Sequence, residues 1–181
     1  MLDALDGRLR GFVTALEARV PGSAAHGRRV AEMGGLVADR LGFEPCEVAR
    51  VERAAEVHDV GKIIVSPEIL QKPGALTACE FEEVQRHAVF GSRLVASLED
   101  PVLTAIVRHH HERLDGSGYP DRLRGEEIPL GARIIAVVDS YDALTSARPY
   151  RDPLSQEAAI SILKEEAGRT LDLEVVAAFA S

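Results

Sequence analysis

Residues 131–146 read GARIIAVVDSYDALTS, and this stretch decides the fold class. Its strongly apolar centre, followed by polar residues at helical spacing, predicts a helix. Aromatic residues make up only 4% of the chain, while alanine is abundant. This composition favours closely packed helices over a sheet-rich fold. We therefore expect an all-α protein organised around helices of this kind.

Apolar spacing and capping signals place the remaining helices around this one. Pro21-Gly22 ends the first helix, and Ser23 is predicted to cap the second. Thr77 and Glu80 form a predicted capping box. Glycines, prolines and the lack of an apolar period make 115–131 a loop. The predicted helices cover 2–20, 23 to about 41, 45 to about 58, a short capped turn at 66–68, a long segment from 78 that carries His87, a segment from Pro101 into the histidines, 154–167 and 172–180.

Length, charge and cysteine content restrict the class of protein. The chain has 181 residues, enough for one domain, and a formal net charge of −8, which argues against a nucleic-acid polymer as partner. An anionic substrate would need positive charge supplied locally by metal ions or arginines. Cys46 and Cys79 stand outside any ligand spacing and indicate reduced thiols in a cytoplasmic protein. We expect no membrane span and no signal peptide.

The doublet His58-Asp59 in VHDVGK, residues 57–62, carries the first chemical signal. Neutral imidazole suits Fe, Mn, Co, Ni or Zn, and a carboxylate can bridge two such ions. Adjacent side chains on a helix diverge by about 100°, so the doublet suits two neighbouring metals better than one. Gly61 permits a sharp exit from the helix, which lets Lys62 turn back toward the site. A lysine there would neutralise charge developing on a phosphoryl group.

The stretch HHHERLDGSGYP, residues 109–120, carries the second signal. Three successive helical residues fan through about 200°, so all three histidines cannot comfortably face one site. Two of them can, if each binds a different metal or if the helix ends there. A single histidine on a helix is more often a surface or core residue than a ligand. Asp139 follows an apolar run, and a buried carboxylate is costly unless it is paired or bound to metal. One turn further, Asp142 is better explained by a salt bridge or a cap.

Taken in order, these segments resemble the signatures of the HD-GYP family, a branch of the HD-domain metal-dependent phosphohydrolases. The resemblance rests on 58–62, 110–113 and 115–120, and similarity extends from about Ala18 to Phe179. It implies a single-domain HD-domain-like helical bundle with a long GYP loop, covering 1–181. It also implies hydrolysis of the bacterial second messenger cyclic di-GMP.

The resemblance implies a specific set of ligands. The family's histidine pair directly precedes Glu-Arg, so His109 is the extra histidine. A third metal in some members uses a glutamate four residues before the first histidine, where this chain has Gly22. We therefore expect two divalent transition metals, iron or manganese, with Asp59 bridging them. The implied metal ligands are His26, His58, Asp59, His87, His110, His111 and Asp139.

The resemblance also implies a mechanism and substrate contacts. Two metals about 3.5–4 Å apart would lower the pKa of a bridging water, and the hydroxide would attack phosphorus in line. Asp59 and Lys62 are the implied catalytic residues, and linear pGpG is the product, with GMP as a further one. Arg148 and Arg151 are expected to contact substrate phosphate or guanine.

The loop residues Gly118, Tyr119 and Pro120 have two interpretations. They line or cover the site, or they recruit diguanylate cyclase (GGDEF) domains, as the family's loop is thought to do. Glu112, Arg113 and Asp115 are expected to pair across the base of this loop.

Several alternatives stay open at the level of sequence. The domain is an enzyme, or it is a catalytically weak cyclic di-GMP receptor or docking module. An HD hydrolase acting on another nucleotide is a third possibility, with cyclic GMP-AMP as the nearest related substrate. Residues 1–20 serve as a connector to an upstream sensory or receiver domain, pair with the same helix in a homodimer, or pack on the core.

Overall fold

The computed structural model of the protein describes residues 2–146 and 152–181, with side chains from residue 7 onward. Short 3-10 turns at Val60–Ile64, Ala96–Leu98 and Gly125–Glu127 join some of the α-helices. The α-helices are α1 (Leu2–Arg19), α2 (Ser23–Arg40), α3 (Pro45–Val57), α4 (Pro67–Leu70), α5 (Ala78–Val95), α6 (Pro101–His109), α7 (Leu130–Thr145), α8 (Gln156–Glu166) and α9 (Leu173–Phe179).

Helix α7 lies in the centre of the bundle, as its apolar sequence predicts. Ile134, Ile135, Val137 and Val138 are all fully buried. The helix packs against α2, α6, α8 and α9, and one apolar cluster joins residues from α1 through α9. Across the described ranges there is no β-strand, only an isolated bridge between residues 167 and 171. The expected all-α fold is confirmed.

Helix α1 packs on this core. Leu9 and Leu16 lie on the same face of the helix, and each is only 3% exposed. Their neighbours are α2, α3 and the 3-10 turn Val60–Ile64. Packing on the core, one of the three interpretations of residues 1–20, is therefore observed for α1. Among the described residues we find no helix with the length and apolar content needed to span a membrane.

The capping predictions are mostly confirmed. Ser66 caps α4 by accepting a hydrogen bond from the Ile69 amide, and Thr77 and Glu80 form the reciprocal box at the start of α5. The prediction for α2 is wrong in its detail, because Gly22, with φ of 91°, is the N-cap residue.

The start of α2 is capped instead by a carboxylate from the preceding helix. Glu17 accepts hydrogen bonds from the amides of Gly22 (2.9 Å) and Ala24 (2.8 Å). The Ser23 hydroxyl donates to the same carboxylate at 3.2 Å. An ionised acceptor binds amides more strongly than a hydroxyl does, which explains why Ser23 is displaced from the capping role.

Gly61 brings two parts of the bundle into backbone contact. It lies in the 3-10 turn after α3, and this turn packs directly against α5. A β-carbon at residue 61 would lie 1.9 Å from the His87 carbonyl oxygen and 2.6 Å from the Gly91 amide nitrogen. Only glycine allows this approach, which places the end of α3 beside the middle of α5.

We expect Gly61→Ala to destabilise the fold by about 3 kcal/mol or more, because backbone must move to admit the methyl group. The matched control is Gly11→Ala, since a β-carbon at residue 11 of α1 meets nothing within 4 Å. That change should raise stability by roughly 0.5–1 kcal/mol through helix propensity. Urea unfolding of both variants measures the difference, and equal stabilities would contradict the close-contact argument.

Candidate metal centre

The predicted metal ligands come from separate helices and meet between them. Asp59 follows α3 directly and forms the middle of the cluster. His26 lies on α2, His58 caps the end of α3, His87 is on α5, His110 and His111 follow α6, and Asp139 is on α7. The break after α6 at His109 is what allows two adjacent histidines to face the same site.

The ligand atoms form two groups that share one carboxylate. In each group, the nitrogen and oxygen atoms that could bind a metal lie within 4.8 Å of one another. We call Asp59, His87, His110 and His111 the His87 half. We call His26, His58 and Asp59 the His26 half, which Asp139 joins through an oxygen 3.3 Å from His26 Nε2.

Asp59 presents one oxygen to each half. Its Oδ1 lies 3.5 Å from His87 Nε2. Its Oδ2 lies 3.6 Å from His58 Nε2 and 3.8 Å from His26 Nε2. A carboxylate oriented in this way is suited to bridge two cations.

Backbone hydrogen bonds fix the orientation of three of the imidazoles. In each, Nδ1 lies at hydrogen-bond distance from the carbonyl oxygen three residues earlier: His58 to Ala55 (2.6 Å), His87 to Val84 (2.6 Å) and His110 to Val107 (2.7 Å). A carbonyl only accepts, so this assigns the proton to Nδ1 and leaves a lone pair on Nε2.

The Nε2 lone pairs of His87 and His110 point toward each other. Their nitrogen atoms are 3.3 Å apart, and with Nδ1 protonated in both rings neither carries a hydrogen for the other. Two lone pairs at this distance repel unless a cation shares them. The pair therefore fits a metal ion with imidazole ligands.

The unpaired oxygen of Asp59 is a second, independent indication that this site fits a metal ion. Within the part of the chain that the structure describes, Oδ1 is buried and accepts no hydrogen bond. Burial opposes ionisation, but Lys62 and the surrounding histidines hold the pKa of Asp59 well below its usual range. A buried, ionised oxygen without a partner is costly, and a divalent cation would satisfy it.

The histidines of the His87 half are in the form that binds metals. Burial lowers the pKa of His87, and it holds the pKa of His110 and His111 well below the usual range, with neighbouring imidazoles adding to the effect on both. All three are therefore neutral at pH 7, as a ligand must be.

His26 differs from them. Burial lowers its pKa, but hydrogen bonds with Asp139 and Asp142 outweigh this and raise it to about 9. The pKa of Asp139 falls to about 2, since its hydrogen bond with His26 outweighs burial. Without a metal, the His26 half thus carries a proton at neutral pH.

Lys62 turns back to the site after Gly61. Its Nζ donates a hydrogen bond to Asp59 Oδ2 at 2.6 Å, and its side chain is 26% exposed. The lysine therefore reaches both the Asp59 carboxylate and the open cleft.

Asp142 forms the salt bridge expected of it, but also contacts a predicted ligand. Arg29 donates through Nε to Oδ1 (2.6 Å) and through Nη2 to Oδ2 (2.9 Å). His26 Nδ1 lies 2.8 Å from the same Oδ2. Burial would raise the pKa of Asp142, but these partners hold it well below its usual range. The contact with His26 joins residues 116 positions apart, and no local sequence pattern predicts it.

The GYP loop lies directly against the cluster. The ring of Tyr119 is 4.8 Å from that of His111, tilted by 31°. The Tyr119 amide donates to the His111 carbonyl at 3.3 Å. A β-carbon on Gly118 would lie 2.5 Å from the backbone of residues 111–113, so glycine is needed for this approach. The loop therefore lines the site.

Glu112 holds the loop in place. It is 2% exposed and accepts hydrogen bonds from the amides of Asp121 (2.7 Å), Arg122 (3.0 Å) and Leu123 (3.2 Å). The expectation that it bonds across the loop base is correct, although its partners are backbone amides. Asp115 instead accepts from the amide of residue 117, and residue 113 donates to the Glu112 carbonyl.

His109, the extra histidine, faces away from the ligands. Its Nε2 lies 2.9 Å from Asp121 Oδ2, and Arg108 binds the same carboxylate with two hydrogen bonds of 2.7 and 2.8 Å. Asp121 was not anticipated from the sequence. Its role depends on a loop that returns to α6, which local patterns do not reveal.

An open cleft of about 510 Å³ exposes the cluster. Its charged lining consists of Asp59, Asp139, Asp142, Arg29 and Lys62. The predicted substrate residues Arg148 and Arg151 lie outside the described residues. A volume of this size is within the range of small-molecule sites.

Comparisons with known proteins agree with this geometry. The family model described as "HD domain" matches residues 12–175. The cyclic di-GMP phosphodiesterase response regulator RpfG of Xanthomonas campestris is 44% identical over 91% of this chain and 44% of its own length. The 3'3'-cGAMP-specific phosphodiesterase 3 of Vibrio cholerae is 38% identical over 96% of this chain and 39% of its own. The chain spans less than half the length of these relatives.

A solved structure shares the fold. Bd1817 of Bdellovibrio bacteriovorus superposes with a TM-score of 0.72, covering 87% of this chain and 51% of that one, at 20% identity. The family match over most of the sequence, the similar relatives and the paired histidine groups lead to one conclusion. The chain belongs to the HD-domain family.

Proposed function

We propose that this chain is a metal-dependent phosphodiesterase that hydrolyses cyclic di-GMP to linear pGpG. One observation carries the proposal: the Asp59 carboxylate directs one oxygen to each of two groups of imidazole nitrogens. The RpfG relative, named a cyclic di-GMP phosphodiesterase, supports the choice of substrate.

The donor set supports two divalent ions, and we propose iron or manganese. His87, His110, His111 and Asp59 would hold one ion, and His26, His58, Asp59 and Asp139 the other. Bound ions would supply a water of lowered pKa and polarise the phosphoryl oxygens.

Residues of the chain would hold the ligands in position and neutralise the charge that develops on the phosphoryl group. Asp59 is held in place by the ammonium of Lys62, at 2.6 Å, and by its position at the end of α3. The same ammonium faces the cleft, where it would stabilise negative charge that builds on the phosphoryl oxygens. Tyr119 packs against the His111 ring on one side of the site. Arg148 and Arg151 remain the predicted phosphate or guanine contacts.

Charge supports the need for metal in substrate binding. The cleft lining carries three carboxylates against one arginine and one lysine. With His26 protonated in the absence of metal, these charges cancel, so the cleft offers no net positive charge to a substrate with two phosphodiester charges. Bound divalent ions would supply that positive charge.

Cyclic GMP-AMP is the alternative substrate. The Vibrio cholerae relative that is 38% identical is named for its specificity toward it. We rank cyclic di-GMP first, and hydrolysis rates measured side by side on both dinucleotides decide the order.

We also propose a cytoplasmic location and docking of GGDEF domains through the GYP loop. Cys46 and Cys79 are both exposed and free, which supports a reducing compartment. An upstream sensory or receiver domain would fit the greater length of the relatives.

Asp59→Asn should leave the fold intact, lower metal content from two equivalents to one or fewer, and reduce kcat/KM by about 10³-fold or more, because both halves lose their shared charge. Plasma emission spectroscopy and product chromatography measure the two effects in one sample. His109→Gln is the control, because this histidine stands beside the ligands without joining them. It should keep both metals and activity within about threefold. Full activity in Asp59→Asn would rule out the bridging role.

Metal uptake should depend on pH through His26. Its pKa is raised from 6.5 to about 9, so binding at pH 7 must displace a proton. The affinity of the His26 half should therefore rise by up to about tenfold per pH unit between pH 7 and 9, and level off above that range. Calorimetry of Mn²⁺ binding in buffers of different ionisation enthalpy counts the released proton. Affinity that stays constant from pH 7 to 9 would be inconsistent with a protonated His26.

Removal of metal should weaken nucleotide binding and abolish turnover. We expect metal-free protein to bind the product pGpG at least about tenfold more weakly than the Mn²⁺-loaded protein, since the metal-free cleft has no net positive charge. Fluorescence anisotropy with labelled pGpG makes the comparison. Equal affinities would favour a receptor whose nucleotide site is separate from the metals.

A further inference from the structure

One histidine of the centre, His26, is oriented by a different kind of partner from His58, His87 and His110. His58, His87 and His110 each direct Nδ1 to a neutral carbonyl in their own chain segment, three residues earlier. His26 directs Nδ1 to a carboxylate on another helix, at 2.8 Å. The difference separates one ligand from the others.

The carboxylate of Asp142 is itself fixed. Arg29 binds both of its oxygens in a fork, at 2.6 and 2.9 Å, and the Ser146 hydroxyl adds a contact of 3.3 Å. The Asp142 side chain is 6% exposed, whereas that of Arg29 is 47% exposed. Bidentate geometry leaves the carboxylate little freedom to rotate.

This arrangement acts on the metal-facing side of the ring. An acceptor at Nδ1 holds the proton there and directs the Nε2 lone pair into the site. The His26 half has two histidines where the His87 half has three, so its metal affinity depends more on the correct orientation of each one.

We propose that Asp142, held by Arg29, is a positioning residue for His26, and that this pair sets the metal affinity of the His26 half independently of the His87 half. The proposal rests on the two-metal function proposed above. Asp142 thereby has a role beyond its salt bridge with Arg29. It contacts His26 at Nδ1, and so acts on the ligand without being a metal ligand itself.

The test compares Asp142→Asn with Asp172→Asn. Asp172 forms the matched salt bridge, since Arg133 Nη1 donates to its Oδ2 at 2.6 Å and its side chain is 11% exposed. Among the contacts that the structure describes, Asp172 touches no histidine. Asparagine at either position removes the charge and keeps the shape. Arg29→Gln is the second variant, because the exposed arginine can be changed with little risk to folding.

Mn²⁺ binding to the metal-free proteins is followed by calorimetry and by electron paramagnetic resonance, with thermal unfolding as a check on folding. Wild type should bind two ions and show the signal of a spin-coupled pair. Asp142→Asn should bind the second ion about 10–100-fold more weakly and show an isolated Mn²⁺ signal at one equivalent. Arg29→Gln should shift the same ion in the same direction by a smaller factor. Asp172→Asn should lose stability and keep both affinities within about twofold.

Three outcomes overturn the proposal, and they are distinguishable. If wild type binds two ions and both affinities are unchanged in Asp142→Asn, the positioning role is wrong and the two-metal function stands. The same holds if Asp142→Asn and Asp172→Asn weaken both ions equally, since the salt bridge is then merely structural. If wild type itself binds a single ion, the two-metal function fails and the proposal fails with it.

Discussion

A carboxylate buried between two groups of imidazoles is the constraint on which the rest of the structure depends. Asp59 is ionised, and one of its oxygens accepts no hydrogen bond among the described residues. Such a group is tolerated only if cations surround it. Lys62 supplies one positive charge from the chain, and the arrangement of the histidines leaves space for others. The end of α3 must therefore approach α5 closely, and the missing side chain of Gly61 allows it.

Hydrogen bonds to nearby backbone carbonyls orient three of the histidine ligands. A histidine whose Nδ1 donates three residues back needs no partner from elsewhere, because the helix already supplies the carbonyl. Correct placement of the helix thus brings a correctly turned ligand. His26 is the exception, and its orientation depends on contact between α2 and α7. The orientation of His58, His87 and His110 consequently follows from local geometry, whereas that of His26 requires the packed bundle.

This division also explains how much could be predicted from the sequence. The doublet His58-Asp59 and the break after His109 are local features, and both predict the placement that the structure shows. The apolar centre of α7 predicts its burial in the same way. Resemblance to the family was needed to join these residues to His26 and His87, which single-residue reasoning would have left as ordinary helix positions.

Features that depend on distant partners could not be predicted. The predicted cap at Ser23 is wrong because Glu17, on the previous helix, provides a stronger acceptor. The contact of Asp142 with His26 crosses 116 residues. Nothing in the local pattern around Asp121 indicates that it will meet His109. In each case tertiary packing brings together polar or charged groups whose separation in the sequence matches no helical or strand period.

The hold of Glu112 on the GYP loop has a consequence for how such proteins diversify. Its carboxylate binds main-chain amides of residues 121–123, which every amino acid except proline possesses. These three contacts therefore do not depend on the side chains at these positions, while the Asp121 carboxylate also ties the loop to Arg108 and His109. Substitution of the exposed Arg122 can change the charge of the outer surface of the loop while Tyr119 stays over His111. A lineage can thus acquire new recognition surfaces beside the site without disturbing the chemistry within it.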